Sequence, residues 1–99
     1  MAIDDNARRA PVRIESTHPC LPGHFPGDPI VPGVVLLDRI AAVLEGEGRT
    51  LRRLLAIKFL APLRPDEDAV LVIGGDAARV RFRIERDGMP ILSGEAELA

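Results

Sequence analysis

The sequence predicts an α+β domain in which an antiparallel sheet wraps around one central buried helix. Three observations carry that expectation. Residues 33–45 are apolar at nearly every position and stop at Gly46 and Gly48. From Leu51 onward, short apolar or alternating segments are separated by turn residues. Ahead of the helix lies a segment in which Gly23, Pro26, Gly27, Pro29, Pro32 and Gly33 fall close together. Such a stretch is neither helix nor sheet interior, because proline lacks a donor and glycine loses most backbone entropy on ordering.

Taken in order, residues 1–10 are polar and charged and are expected to fray. Residues 11–17 alternate apolar and polar side chains, as a half-buried strand does. A stiff, ordered loop follows over about residues 18–32. The helix over 33–45 is roughly 20 Å long and, being apolar on nearly all sides, is expected to be buried. Residues 51–60 form a strand that Pro62 ends, and 64–68 a turn. The next strand is 69–73, closed by Gly74, Gly75 and Asp76. In 79–85 the inward residues are Val80, Phe82 and Ile84, with charges outward. Asp87-Gly88 makes a hairpin turn into the last strand, 89–98. Consecutive hairpins would curve these strands around the helix.

With 99 residues the chain is expected to form one domain over 1–99. At this size roughly 60 to 68% of the unfolded surface is buried, so a partner subunit would help the modest core. Hydrophobic residues make up 46%, aromatics only 3%, and Trp and Tyr are missing, so the core must be aliphatic. A net charge of -2 argues against nucleic acid or an anionic membrane as a partner. No apolar run is long enough to span a bilayer and the first residues lack a signal-peptide layout, which together lead us to expect a soluble cytoplasmic protein. Cys20 is the single cysteine, and His18 and His24 are spaced across prolines unlike a zinc motif. Neither a metal nor a cofactor is expected.

The proline-rich loop holds His24, and the helix it feeds carries one acid within its apolar run, Asp38. An unperturbed imidazole titrates near ~6.5, so His24 suits a general base at neutral pH. Asp38 shares its face with Val34, Val35, Ala41 and Ala42, which are expected to desolvate it. The amides of Gly33 and Val34 open the helix and have no intrahelical acceptor, so they could receive a developing oxyanion. Gly33 has no side chain, which would let an acyl group come close.

The segment His24-Phe25-Pro26-Gly27-Asp28-Pro29-Ile30-Val31-Pro32-Gly33-Val34-Val35-Leu36-Leu37-Asp38 resembles the active-site segment of the β-hydroxyacyl-acyl-carrier-protein dehydratases, hot-dog enzymes of fatty-acid synthesis. Downstream, Lys58-Phe59-Leu60-Ala61-Pro62-Leu63-Arg64-Pro65-Asp66 resembles the family's Lys/Arg-Phe-x-x-Pro-x-x-Pro-Gly-Asp run, less its glycine. The resemblance covers about residues 11–98 and implies a hot-dog fold. It implies dehydration of a 3-hydroxyacyl thioester, delivered on acyl carrier protein, to a trans-2-enoyl thioester. His24 would be the base and Asp38 would hydrogen-bond the departing hydroxyl. Gly33, with Val34 and Ile30, would bind the thioester, and Leu36, Leu37 and Ile40 would flank an acyl tunnel. It further implies a homodimer whose active sites take His24 and Asp38 from opposite subunits. The family's dehydrating branch has Glu where Asp38 stands, and its isomerising branch has Asp. Arg39-Ile40 replaces the Ala-Gln that often follows the acid, and the chain is shorter than typical members. A hot-dog thioesterase and a non-catalytic acyl-binding subunit are the other functions weighed.

Overall fold

A computed structural model describes residues 7–17 and 30–99 of the chain. His18, Cys20, His24 and Asp28 lie outside the described residues. The elements are β1 (Arg8–Val12), α1 (Gly33–Gly46), β2 (Leu51–Phe59), β3 (Ala69–Gly75), β4 (Arg79–Arg86) and β5 (Met89–Leu98). All strand pairs are antiparallel, and the sheet order is β1-β3-β4-β5-β2. With α1 packed on the inner face, this is a hot-dog α+β fold.

The alternation that marks β4 in the sequence sets its faces. Val80, Phe82 and Ile84 have no exposed surface and meet Ala96, Gly94 and Leu92 of β5 in register. The large Phe82 therefore lies opposite a residue with no side chain. A Cβ on Gly94 would fall 2.6 Å from the Phe82 ring and 2.5 Å from the Ala56 carbonyl oxygen of β2. The aliphatic core expected from the composition is present: Leu36, Ile40 and Leu44 of α1 join Leu71, Ile73, Ile84 and Leu92 of the sheet around the Phe82 ring. On the outer face, Arg79 pairs with Glu95 at 3.2 Å and Arg83 with Glu85 at 2.7 Å.

Three expectations are corrected. The paired N-terminal strand is Arg8–Val12, upstream of the 11–17 expected, because its partner β3 begins at Ala69, opposite Val12. Val12 and Ile14 do turn inward as the alternation requires. The four later strands are not consecutive hairpins: only β3, β4 and β5 form a meander, while β2 lies at the far edge beside β5. Residues 60–68 must carry the chain back past three strand positions, about 14 Å, which nine extended residues span easily. Finally, α1 is not buried all round. Val35, Leu36, Ile40 and Leu44 are buried, whereas Val34, Asp38 and Ala42 face outward. One helix on one sheet covers only the side that meets the sheet.

The β3–β4 turn is closed by Asp76. Its carboxylate accepts the amides of Ala78 at 2.8 Å and Arg79 at 2.9 Å, and its own amide donates to the Arg79 carbonyl. Those backbone donors, helped by the charges of Arg79 and Arg49, hold the Asp76 carboxyl below its ordinary pKa. Because the folded pKa is depressed, this stabilisation is present above the unfolded carboxylate value near ~4 and is lost as pH falls through the lower folded one. Asp76→Ala should therefore melt below the wild type at neutral pH, with the gap narrowing in acid. Melting curves from pH 7 to about pH 3 read this, and a pH-independent gap would refute it.

Candidate active site

A cavity of about 390 Å³ opens at the N-terminal end of α1. Ile30, Gly33 and Leu36 line it from the helix side, and Phe59, Leu60 and Pro62 from the end of β2 and the crossover. The two walls are joined by the Val31 amide, which donates to the Leu63 carbonyl at 2.8 Å. The volume is at the low end of small-molecule sites and the lining is apolar.

The crossover wall is braced from several sides. Arg86 Nη1 donates to the Pro62 carbonyl at 2.6 Å and to Glu67 Oε1 at 3.0 Å, and the same Oε1 accepts the Arg64 amide at 2.7 Å. Asp66, directly after Pro65 because the resembled run's glycine is missing, adopts φ 65°, a region costly for most side chains. Its amide donates to the Ile14 carbonyl at 2.8 Å, and its carboxylate accepts the Ser16 amide at 3.1 Å. That backbone donor, with Arg13 adding charge, keeps the Asp66 carboxyl below its usual pKa. Arg86, Glu67 and Asp66 were not anticipated as supports of a site. The sequence marked this segment only as a strand end at Pro62, a turn over 64–68 and part of the resembled run.

At the helix start, Pro32 occupies the N-cap and supplies no side-chain acceptor, and the first turn holds no acidic residue. The Val35 amide turns back to the Pro32 carbonyl at 3.0 Å. Gly33 is at the cavity, while Val34, 62% exposed, is on the outer side. The space above Gly33 is not vacant, as its lack of a side chain had suggested. A Cβ there would fall 2.6 Å from Cζ of Phe59, so that ring packs directly on the glycine.

Among the expected site residues, Ile30, Gly33 and Leu36 come together at the cavity. Leu37 is half-buried against the core and Ile40 lies wholly inside it, so neither is among the lining residues. Asp38 is exposed, and the desolvation expected from its apolar neighbours is not present in the single chain. At 100° per residue it projects about 160° around the helix from Leu36. Acid and cavity thus occupy opposite sides of α1. Among the described residues no three His, Cys, Asp or Glu side chains gather as a metal site would require. Nor is any described helix long and apolar enough to cross a membrane.

Among the described residues, one helix cradled by a five-stranded antiparallel sheet, with an apolar cavity at the helix N-terminus, defines a hot-dog protein. The profile of the ApeI-like family, described as ApeI dehydratase, matches residues 1–95, and the chain belongs to that family. A 3-hydroxyacyl-[acyl-carrier-protein] dehydratase FabZ from Haemophilus influenzae strain PittEE is 44% identical over 93 residues, spanning 84% of this chain. The FabZ of Pasteurella multocida is 30% identical over 99 residues, spanning 89% of this chain. This chain spans 59% and 60% of those two relatives' lengths. Among solved structures, the dehydratase heterocomplex ApeI:P from Xenorhabdus doucetiae superposes with a TM-score of 0.80 at 25% identity, over 92% of this chain and 85% of that one. An uncharacterized protein from Erwinia carotovora superposes with a TM-score of 0.71 at 26% identity, over 92% of this chain and 81% of that one.

Proposed function

We propose that this chain dehydrates a 3-hydroxyacyl thioester, carried on acyl carrier protein, to the trans-2-enoyl thioester in the synthesis of a fatty acid or related lipid or polyene. The observation that supports it most is the apolar cavity ending at the uncapped start of α1. An acyl group held there puts its thioester carbonyl near free amides that can stabilise an enolate-like oxygen. His24 removes the proton from C2 and the hydroxyl leaves C3, hydrogen-bonded to Asp38. The two fragments make one water, and a double bond forms between C2 and C3. The matches to FabZ enzymes and to an ApeI-containing complex support the same reading.

Because Asp38 faces away from the cavity of its own chain, we infer that it serves the cavity of a second subunit. The outward side of α1 and the edge strand β2, where Leu54, Leu55 and Phe59 are exposed, form the surface for a homodimer. Higher assemblies could build on that dimer. The Xenorhabdus neighbour is a heterocomplex, and a native mass of the purified protein separates a like from an unlike second subunit. A cytoplasmic location goes with a thioester substrate on a carrier protein, and cell fractionation tests it.

The deciding assay supplies 3-hydroxyacyl and saturated acyl thioesters side by side. Appearance of the 2-enoyl product from the first is the expected result. Free thiol released from both, without enoyl product, would make the protein a thioesterase. No turnover with retained binding would make it an acyl-binding subunit.

A further inference from the structure

We propose that Phe59 sets the size of the acyl group this chain accepts, as a movable ring between the cavity and the start of α1. The proposal rests on the cavity being the acyl site. Phe59 is the last residue of β2, an edge strand with register irregularities between Leu51 and Arg53 and between Leu54 and Ala56. Its side chain is 54% exposed, unusual for a large ring on the inner face of a sheet. The chain has only three phenylalanines, and Phe82 is wholly buried in the core.

The ring of Phe59 occupies the site where a side chain at residue 33 would be, with Cζ at 2.6 Å and Cε1 at 2.7 Å from that Cβ position. It therefore walls the cavity on the side where the thioester must approach the Gly33 and Val34 amides. The ring rests on Gly33 yet is about half exposed in the single chain, and a side chain so placed can change rotamer without disturbing the core. The neighbouring wall cannot follow: Leu60 and Ala61 are pinned through their amides to the Ile91 carbonyl at 2.9 and 3.3 Å, and Pro62 is held by Arg86. One mobile wall facing braced ones makes Phe59 the part of the site whose position changes the available length.

Removing the ring lengthens the cavity and also removes apolar contact from short chains. Each further buried methylene is worth about fourfold in affinity, so a cavity extended by a few methylenes should shift the long-to-short preference by at least about tenfold. The test measures binding of saturated acyl-pantetheine thioesters, butyryl to dodecanoyl, by calorimetry to wild type, Phe59→Ala and Phe59→Leu. The expected result is a peak moving to longer chains in Phe59→Ala, with Phe59→Leu between. Sedimentation of each variant is run in parallel, because Phe59 is also on the surface inferred for the second subunit. An unmoved peak in a variant that keeps the wild-type assembly overturns the proposal, and so does a change confined to assembly. Saturated thioesters do not react by dehydration, so the ladder reads Phe59 even if the dehydratase reading fails. Conversely, enoyl formation with an unmoved ladder would leave that reading standing and remove this one.

Discussion

Under the proposed mechanism, Asp38→Asn should lower kcat by roughly 10²- to 10⁴-fold, with melting temperature unchanged because the side chain is exposed in the single chain. His24→Ala should fall by a similar factor. Mixing the two variants separates a site within one chain from a site shared between two. If the acid on the outer side of α1 works with the histidine of a second subunit, half the re-formed dimers are mixed and each has one intact site. The mixture should then recover about a quarter of wild-type activity. If each site lies within one chain, mixing recovers nothing. Turnover at the wild-type rate by either single variant would remove that residue from the mechanism.

The largest effect on stability is expected at Gly94. A methyl group there meets the Phe82 ring at 2.6 Å and the Ala56 carbonyl oxygen at 2.5 Å, both inside the usual contact limit. The ring is fully buried and the carbonyl belongs to the β2 backbone, so neither yields easily. Overpacking of this kind costs about 1–3 kcal/mol. For a domain this small, Gly94→Ala should melt about 4–8 °C lower per kcal/mol lost. Phe82→Leu added to Gly94→Ala should be less harmful than the sum of the two, since a smaller side chain relieves half of the clash. Strict additivity, or a wild-type melting temperature for Gly94→Ala, would contradict this packing.

Periodicity reported faces well and partners poorly. Val80, Phe82 and Ile84 announced the inner face of β4, and the apolar run after Gly33 announced α1, because side-chain alternation and helix content are local properties. The position of β2 was not local. Its segment lacks clean alternation, and nine residues separate it from β3, longer than the two to five typical of a hairpin. That length was the available signal for a crossover. Burial of α1 was overread for a related reason. An apolar outer face with Val34, Asp38 and Ala42 looks the same in sequence whether the chain's own sheet or another subunit covers it. At the site, Ile30 and Leu36 were named through the family resemblance and Gly33 also through its lack of a side chain, and all three line the cavity. Phe59 was quoted within a motif but given no role, since its contact with Gly33 depends on how the end of β2 meets the helix start. The motif containing His24 remains the strongest catalytic signal in the sequence.

The far-edge position of β2 has a consequence for assembly of the fold. In the β4–β5 hairpin, Arg86 meets Met89 across a two-residue turn, so pairing starts between neighbours in the chain. Phe59 instead meets Leu92, and Leu51 meets Leu98, separations of 92 − 59 = 33 and 98 − 51 = 47 residues. Closing the longest of these loops costs roughly 2 kcal/mol more entropy than closing the hairpin. The meander can therefore nucleate alone, while the strand that ends in Phe59 must wait for most of the chain to be in place. The strand whose end walls the cavity is thus held by non-local pairing, the slower kind to form.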